Sequence, residues 1–261
     1  MQLEIVSRRA SGAPRRTPLL FVHGAYVGAW CWEEHFLPWF AARGFACHAV
    51  SLRGHGASAG HERLNEHGLA DYAADVAAAA AELGQPPVLI GHSMGALVVQ
   101  KHLERASVPA AVLACPVPGF GLVPATFALA LSRPALFAGI QGIAAGGRAS
   151  LETVAEALFA EPPGRERVAL IALRMQRESR RALLEMTGWG LPNPWLARRP
   201  PTLVLGAGRD ALIQPAQSRA AAQWLGAEYR ELPGLGHAVM LDAGWEDAAQ
   251  AILDWLEARG F

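Results

Sequence analysis

The chain has no excess of charge of either sign: 23 lysines and arginines stand against 23 aspartates and glutamates, and the pI is about 7.1. That balance argues against a nucleic-acid partner, which selects for a basic stripe or patch. Cysteine is scarce. Cys31, Cys47 and Cys115 form an odd, widely spaced set with no C-x-x-C. Neither a disulfide framework nor a thiolate zinc site fits them, and a reducing cytoplasm suits three free thiols. The opening residues, MQLEIVSRRASGAPRR, have no apolar segment behind their charges, so no signal peptide is expected. Residues 106–132 carry no charge, yet Pro109, Pro116, Pro118 and Pro124, with Gly119 and Gly121, would break a spanning helix. No stable membrane insertion is expected.

What is present is a chain of 261 residues, 52% hydrophobic and 18% charged, enough to bury one large core. Short apolar runs at 3–6, 19–22, 46–52, 87–91, 110–115, 201–207 and 228–232 read as strands. Longer segments at 33–44, 69–84, 94–106, 215–226 and 244–260 read as helices. Continuous apolar strands alternating with helices predict an α/β fold, with a mostly parallel, doubly wound sheet covered on both faces. Residues 119–198 interrupt the alternation with helical patterns only, at 125–131, 134–145, 151–160 and 164–187. The expected organisation is therefore a core of residues 1–118 and 199–261, with an all-helical insertion of residues 119–198 at the carboxyl edge of the sheet.

The sharpest motif is Gly91-His92-Ser93-Met94-Gly95, directly after the strand pattern PVLI and directly before the helix pattern MGALVVQKHLE. A bare G-x-S-x-G is a weak signal; its strand–turn–helix context is what gives it weight. A sharp turn there leaves little room for side chains at 91 and 95, lifts the serine hydroxyl above the sheet, and sets the helix N-terminus beneath it. A serine hydroxyl needs a base, and the base needs an orienting acid. Asp210 ends the loop GAGRD after one late strand, and His237 ends the loop PGLGH after the last. Among nine histidines only His237 lies downstream of that acid. Asp242 is a rival acid, read instead as a cap for the last helix at Gly244. His23-Gly24-Ala25 follows an early strand and is placed to add a second N–H to that of Met94 in an oxyanion hole. Ala25 is the candidate donor there, and His23 is read as a loop anchor.

Together HGAYVGAWCW (23–32), SLRGHG (51–56), GHSMG (91–95), GAGRD (206–210) and GLGH (234–237) resemble the α/β-hydrolase superfamily, with a helical cap inserted after its sixth strand. The resemblance spans nearly the whole chain. It implies Ser93 as nucleophile, His237 as general base and then acid, Asp210 as its orienting carboxylate, and the Ala25 and Met94 N–H groups as oxyanion hole. Members of this family usually open with a longer strand hairpin, so one early strand is expected to be short or absent. Serine at 93 disfavours the branches that use a carboxylate nucleophile, such as epoxide hydrolases and haloalkane dehalogenases. The segment 23–32 also resembles the plant esterase and hydroxynitrile-lyase branch. Those lyases carry Thr where this chain has Gly24 and Lys where it has Ala238, so ester hydrolysis is favoured over cyanohydrin cleavage.

The insertion is rich in apolar side chains, among them Phe120, Ile140, Met175 and Trp189. A pocket beneath it, with Tyr26, Phe120 and Trp189 as candidate walls, would favour an uncharged hydrophobic ester. No cofactor is expected, since nucleophile, base and donors all come from the chain. His48, His55, His61 and His67 have no metal-ligand spacing, so no metal is expected. Arg174–Glu178 and Arg181–Glu185, both at i,i+4, read as a solvated, self-paired helix face. The expected function is a serine hydrolase for a small-to-medium hydrophobic carboxylic ester, its partners a small molecule and at most a second copy of the chain. C–C bond or thioester hydrolysis on the same residues, and a ligand-binding receptor without turnover, are the alternatives.

Overall fold

The computed structural model describes all 261 residues. Seven strands form one sheet: β1 (Glu4–Arg8), β2 (Leu19–Val22), β3 (Cys47–Ser51), β4 (Val88–His92), β5 (Ala111–Ala114), β6 (Thr202–Ala207) and β7 (Glu228–Leu232). Their order across the sheet is β1-β3-β2-β4-β5-β6-β7. Only β1 is antiparallel, pairing Glu4 with Ser51 and Arg8 with Cys47; every other neighbour is parallel. One strand, not a hairpin, precedes β2, so the early strand expected to be short or absent is absent. The helical insertion accordingly follows the fifth strand of this chain.

Side chains alternate across the sheet because successive residues of a strand point to opposite faces. Leu19, Phe21, Val88 and Ile90 enter the core on one face, with Trp32, Phe36 and Ile252. Leu20, Val22, Leu89 and Leu113 enter the other, with Tyr72, Val76 and Leu97. Strands β2, β4 and β5 are buried along their whole length, the expected price in composition of a sheet covered on both sides. Each fully buried leucine or phenylalanine there contributes roughly 1.5–3 kcal/mol relative to exposure. The edge strand β7 instead alternates exposed and partly buried residues.

The helices of the first face are α1 (Trp30–Glu33) and α2 (Phe36–Ala41), which replace the single helix expected over 33–44. Pro38, third residue of α2, has no N–H to continue a helix from α1, so the chain restarts at His35. On the second face α3 (Leu69–Glu82) lies beside α4 (Met94–His102).

Between β5 and β6 the chain forms α5 (Val123–Ser132), α6 (Pro134–Ala144), α7 (Leu151–Leu158), α8 (Arg165–Arg174), α9 (Arg180–Leu184) and a closing π-turn over Glu185–Trp189. Prolines stand in the first turn of α5 and α6, where an absent N–H costs nothing. The helix expected over 164–187 is broken: Met175 turns extended (ψ 150°), and Ser179 starts α9 by accepting the Ala182 N–H at 3.2 Å. After β6 come α10 (Pro215–Leu225) and, after β7, α11 (Trp245–Glu257). No helix is long and apolar enough to cross a membrane.

Candidate active site

Ser93 sits between β4 and α4 at φ 52°, ψ −117°, a left-handed backbone that L-residues adopt only under constraint. The constraint is visible on both sides. The Ser93 N–H donates to Ala114 O at 2.9 Å, and its carbonyl accepts the Val117 N–H at 3.2 Å. A Cβ on Gly91 would lie 2.7 Å from the Ala96 Cα, and one on Gly95 would collide with the carbonyl oxygens of Val22 and His23. The two glycines of the motif are thus dictated by the close approach of α4 to the ends of β2 and β4.

The turn brings Ser93 Oγ within 2.9 Å of His237 Nε2, and His237 Nδ1 lies 2.8 Å from Asp210 Oδ2. A carboxylate only accepts, so Nδ1 carries the proton and Nε2 presents its lone pair to the serine hydroxyl. The other oxygen of Asp210 accepts the N–H groups of Leu212 (2.8 Å) and Ile213 (2.9 Å), which fix the carboxylate plane. Both His237 and Asp210 are buried. Charge-assisted hydrogen bonds gain strength in such a setting.

The loop after β2 carries Ala25. His23, fully buried, accepts the Leu52 N–H at Nε2 (3.0 Å) and donates from Nδ1 to Gly24 O (2.7 Å). Burial, then the neighbouring His55, hold it neutral, pushed down to about 3. Gly24 O and the Ala25 N–H belong to one peptide group, so anchoring the oxygen turns the N–H away from it. Neither the Ala25 N–H nor the Met94 N–H meets an acceptor within the protein. His23 is therefore an anchor, and its partner is the peptide that carries the Ala25 N–H.

Ser93, His237, Ala25 and Tyr26 line a cavity of about 140 Å³. Of its nineteen lining residues fifteen are hydrophobic, and the insertion supplies Ile140, Val154, Ile171 and Met175 among them. The expected walls fare differently. Tyr26 lines the cavity, whereas Phe120 packs edge-on against Trp224, ring centroids 6.0 Å apart, and Trp189 is 86% exposed. Both lie outside the lining. Of the insertion's aromatic residues Phe120 goes to its seam with α10, Phe159 into the core and Trp189 to the surface, while aliphatic ones face the serine.

Further expectations are corrected. Asp242 does not cap α11: its Oδ2 accepts the N–H groups of Gly236 (2.7 Å) and Ala160 (2.9 Å), tying the His237 loop to the end of α7. Glu178 does not pair with Arg174, which stacks 4.4 Å over Trp30; it is buried against His55 instead. Arg181 and Glu185 do pair, at 2.7 Å. His48, His61 and His67 are each bonded separately, to Ser7 Oγ, Gly56 O and Gly60 O.

Three donor atoms lie within 4.8 Å of one another: one each from Cys115, Asp210 and His237. Both nitrogens of His237 are already in hydrogen bonds. Burial, then the adjacent Asp210 carboxylate, push the Cys115 thiol well above its ordinary range and keep it protonated. In this arrangement His237 and Asp210 engage their polar atoms in hydrogen bonds to Ser93, to each other and to the Leu212 and Ile213 N–H groups.

Sequence reasoning overlooked two residues of the site. His92 donates from Nε2 to His237 O at 2.8 Å, bracing the backbone of His237, and no sequence signal marks it. Burial, then His237 beside it, push it down to about 3, so it stays neutral. Glu178 was hidden by its helical spacing, although the Ser-Arg-Arg-Ala start that caps α9 was a readable sign of a break.

A family model described as the alpha/beta hydrolase family matches residues 19–251. No curated protein matches the chain in sequence. Among solved structures the chain is similar to the protein Rv0554 from Mycobacterium tuberculosis (TM-score 0.75, 22% identity, 98% of this chain and 93% of that one). It is also similar to a thermophilic esterase from Thermogutta terrifontis (TM-score 0.72, 21% identity, 98% and 93%). A monoacylglycerol lipase from Paleococcus ferrophilus gives a TM-score of 0.71 at 22% identity, over 98% of each chain. At these identities the likeness is one of fold. The family model, which runs from β2 to α11 through both late loops, goes further, and on it the chain belongs to the alpha/beta hydrolase family.

Proposed function

We propose that the protein is a serine hydrolase that cleaves small-to-medium hydrophobic carboxylic esters through an acyl-enzyme. In this reading His237 Nε2 takes the proton of Ser93 as Oγ attacks the ester carbonyl, and Asp210 steadies the imidazolium that forms. The Ala25 and Met94 N–H groups receive the oxyanion of the tetrahedral intermediate. Protonated His237 then returns its proton to the departing alkoxide, leaving the acyl group on Ser93. Water, deprotonated by His237, attacks the acyl-enzyme and releases the acid. The observation that carries the reading is the hydrogen-bonded run Ser93–His237–Asp210, at 2.9 and 2.8 Å, opening on an apolar cavity. The lining favours an uncharged acyl group. The esterase and the monoacylglycerol lipase among the fold neighbours agree with it.

Burst kinetics on p-nitrophenyl esters from acetate to decanoate, for the wild type and Ser93→Ala, test this reading. Turnover in the wild type is expected to fall by about 10⁴–10⁶ in the variant, the range seen when a nucleophile of this kind is removed. The chain-length optimum then sizes the cavity. Labelling of the wild type by a fluorophosphonate without turnover of any ester would point to a thioester or C–C bond as the target. Neither labelling nor turnover would sink the enzymatic reading in favour of a binding protein.

A further inference from the structure

The carboxylate of Glu178 is fully buried, although it comes from the break between α8 and α9 in the insertion. Four donors converge on it. Oε2 accepts from His55 Nε2 (2.9 Å) and the Tyr26 N–H (3.3 Å); Oε1 accepts from Tyr72 OH (2.8 Å) and the Ser179 N–H (2.7 Å). Only a carboxylate satisfies four donors at once, since an amide would turn two donors of its own on two of them. The other nitrogen of His55 faces Arg53 O at 3.1 Å. Both ring nitrogens therefore meet acceptors, and the imidazole is held as the cation that balances Glu178.

The same short segment reaches Tyr26 twice. Besides the Glu178 bond to its N–H, the Gln176 N–H donates to its carbonyl at 2.9 Å. Tyr26 needs the grip, because at φ 66° it is left-handed, and this backbone is strained for a side chain of its size. Gln176 also bridges to the loop after β3, accepting the Gly56 N–H at 2.9 Å and donating to Gly54 O at 2.7 Å. Ala25 thus lies between two clamps. His23 fixes the peptide before it, Glu178 fixes the peptide after it, and Gln176 holds the next one along, at the Tyr26 carbonyl.

We infer that Glu178 is a positioning residue: from the inserted helices it holds the Tyr26 peptide, and through it the direction in which the Ala25 N–H points above Ser93. The inference rests on the reading of Ala25 as an oxyanion donor. It makes the seating of the insertion on the core a condition for a competent oxyanion hole, although Glu178 touches no reacting atom.

The test compares Glu178→Gln, Tyr72→Phe and wild type on p-nitrophenyl esters, with rates normalised to serines titrated by burst. A trifluoromethyl ketone, whose adduct with the serine carries the oxyanion, is the second probe. For Glu178→Gln, kcat per titrated site is expected to fall about 10- to 100-fold, part of what loss of an oxyanion donor costs. KM should stay within about twofold, and ketone affinity should weaken in step with kcat/KM. Tyr72→Phe removes a bond to the same carboxylate but none to Tyr26, so its kcat per site should stay within about threefold of wild type. Equal losses in both variants, or ketone affinity unchanged in Glu178→Gln, would overturn the inference. If Glu178→Gln does not fold, the neutral pair His55→Gln with Glu178→Gln takes its place, with the same kcat-selective loss expected and an unchanged kcat per site overturning the inference. A wild type that neither bursts nor takes the label overturns instead the reading of Ser93 itself.

Discussion

The carboxyl ends of the strands and the inserted helices enclose one cavity, but they hold their residues by different means. At the strand ends the backbone does the holding. Ser93 is pinned to Ala114 and Val117, Gly95 abuts the last carbonyls of β2, and Asp210 is clamped by two N–H groups. The insertion is a set of short helices whose leucines often face outward, Leu131 being 70% and Leu173 76% exposed. Side chains seat it on the core, Gln176, Glu178, Ser179 and Glu185 by hydrogen bonds and Phe159, Ile171, Ala182 and Met186 by packing. On the proposed reading the strand ends carry the reacting groups, and the insertion supplies the apolar wall facing Ser93. A fold divided this way can change what it accepts without disturbing how it reacts.

Substitutions in the two parts should therefore differ in kind. The largest effect belongs to the strand ends: Asp210→Asn is expected to lower kcat by about 10⁴, because an amide at that place favours the wrong tautomer of His237. Its melting temperature should change little by comparison. A kcat within about tenfold of wild type would detach Asp210 from the chemistry.

An intermediate effect belongs to the seat of the insertion and is read in stability against pH. Burial opposes the charge on His55, but Glu178 and the hydrogen bonds to it outweigh burial, so its pKa is raised. Burial likewise opposes the charge on Glu178, but His55 and the donors around it prevail, so its pKa is lowered. A raised histidine stabilises fully below its ordinary 6.5 and loses that contribution as pH rises through the folded value. A lowered carboxylate stabilises fully above its ordinary 4.5 and loses it as pH falls through the folded value. The advantage of wild type over Glu178→Gln should accordingly be greatest between pH 4.5 and 6.5, at roughly 3–5 kcal/mol, and shrink on either side. Denaturant midpoints measured across pH check this. A flat difference would mean that the pair is not ionised.

The smallest effect belongs to the outer face of the insertion. Arg165→Ala removes an ion pair with Glu152 at 3.3 Å, between side chains 78% and 72% exposed, and should cost no measurable stability, with kcat unchanged. A measurable loss would show the outer face to be as tightly bound as the inner one.

Most of the sheet was legible, since its strands are continuous apolar runs and their burial on both faces demands that composition. The juxtaposition of Ser93, Asp210 and His237 was legible because each follows a strand at the same edge of the sheet, in a loop that carries glycine. What escaped reading depends on contacts between distant segments. Met175, Gln176, Arg177 and Glu178 are all good helix formers, and the helix breaks there because bonds to Tyr26, His55 and Gly56 outweigh local preference. Phe120 and Trp189 could be placed in the insertion by sequence, but hydrophobicity does not say which wall a side chain joins. Asp242 stands where a helix cap is expected, and it serves two amides across the fold instead.

The backbone of Ser93 carries a consequence for descent. Its left-handed conformation is one that glycine adopts freely and that a serine holds only at a penalty of about 1–3 kcal/mol. Thermal tolerance and reactivity therefore select for different codons at this one position. Ser93→Gly would release that strain and, on the proposed reading, the nucleophile with it.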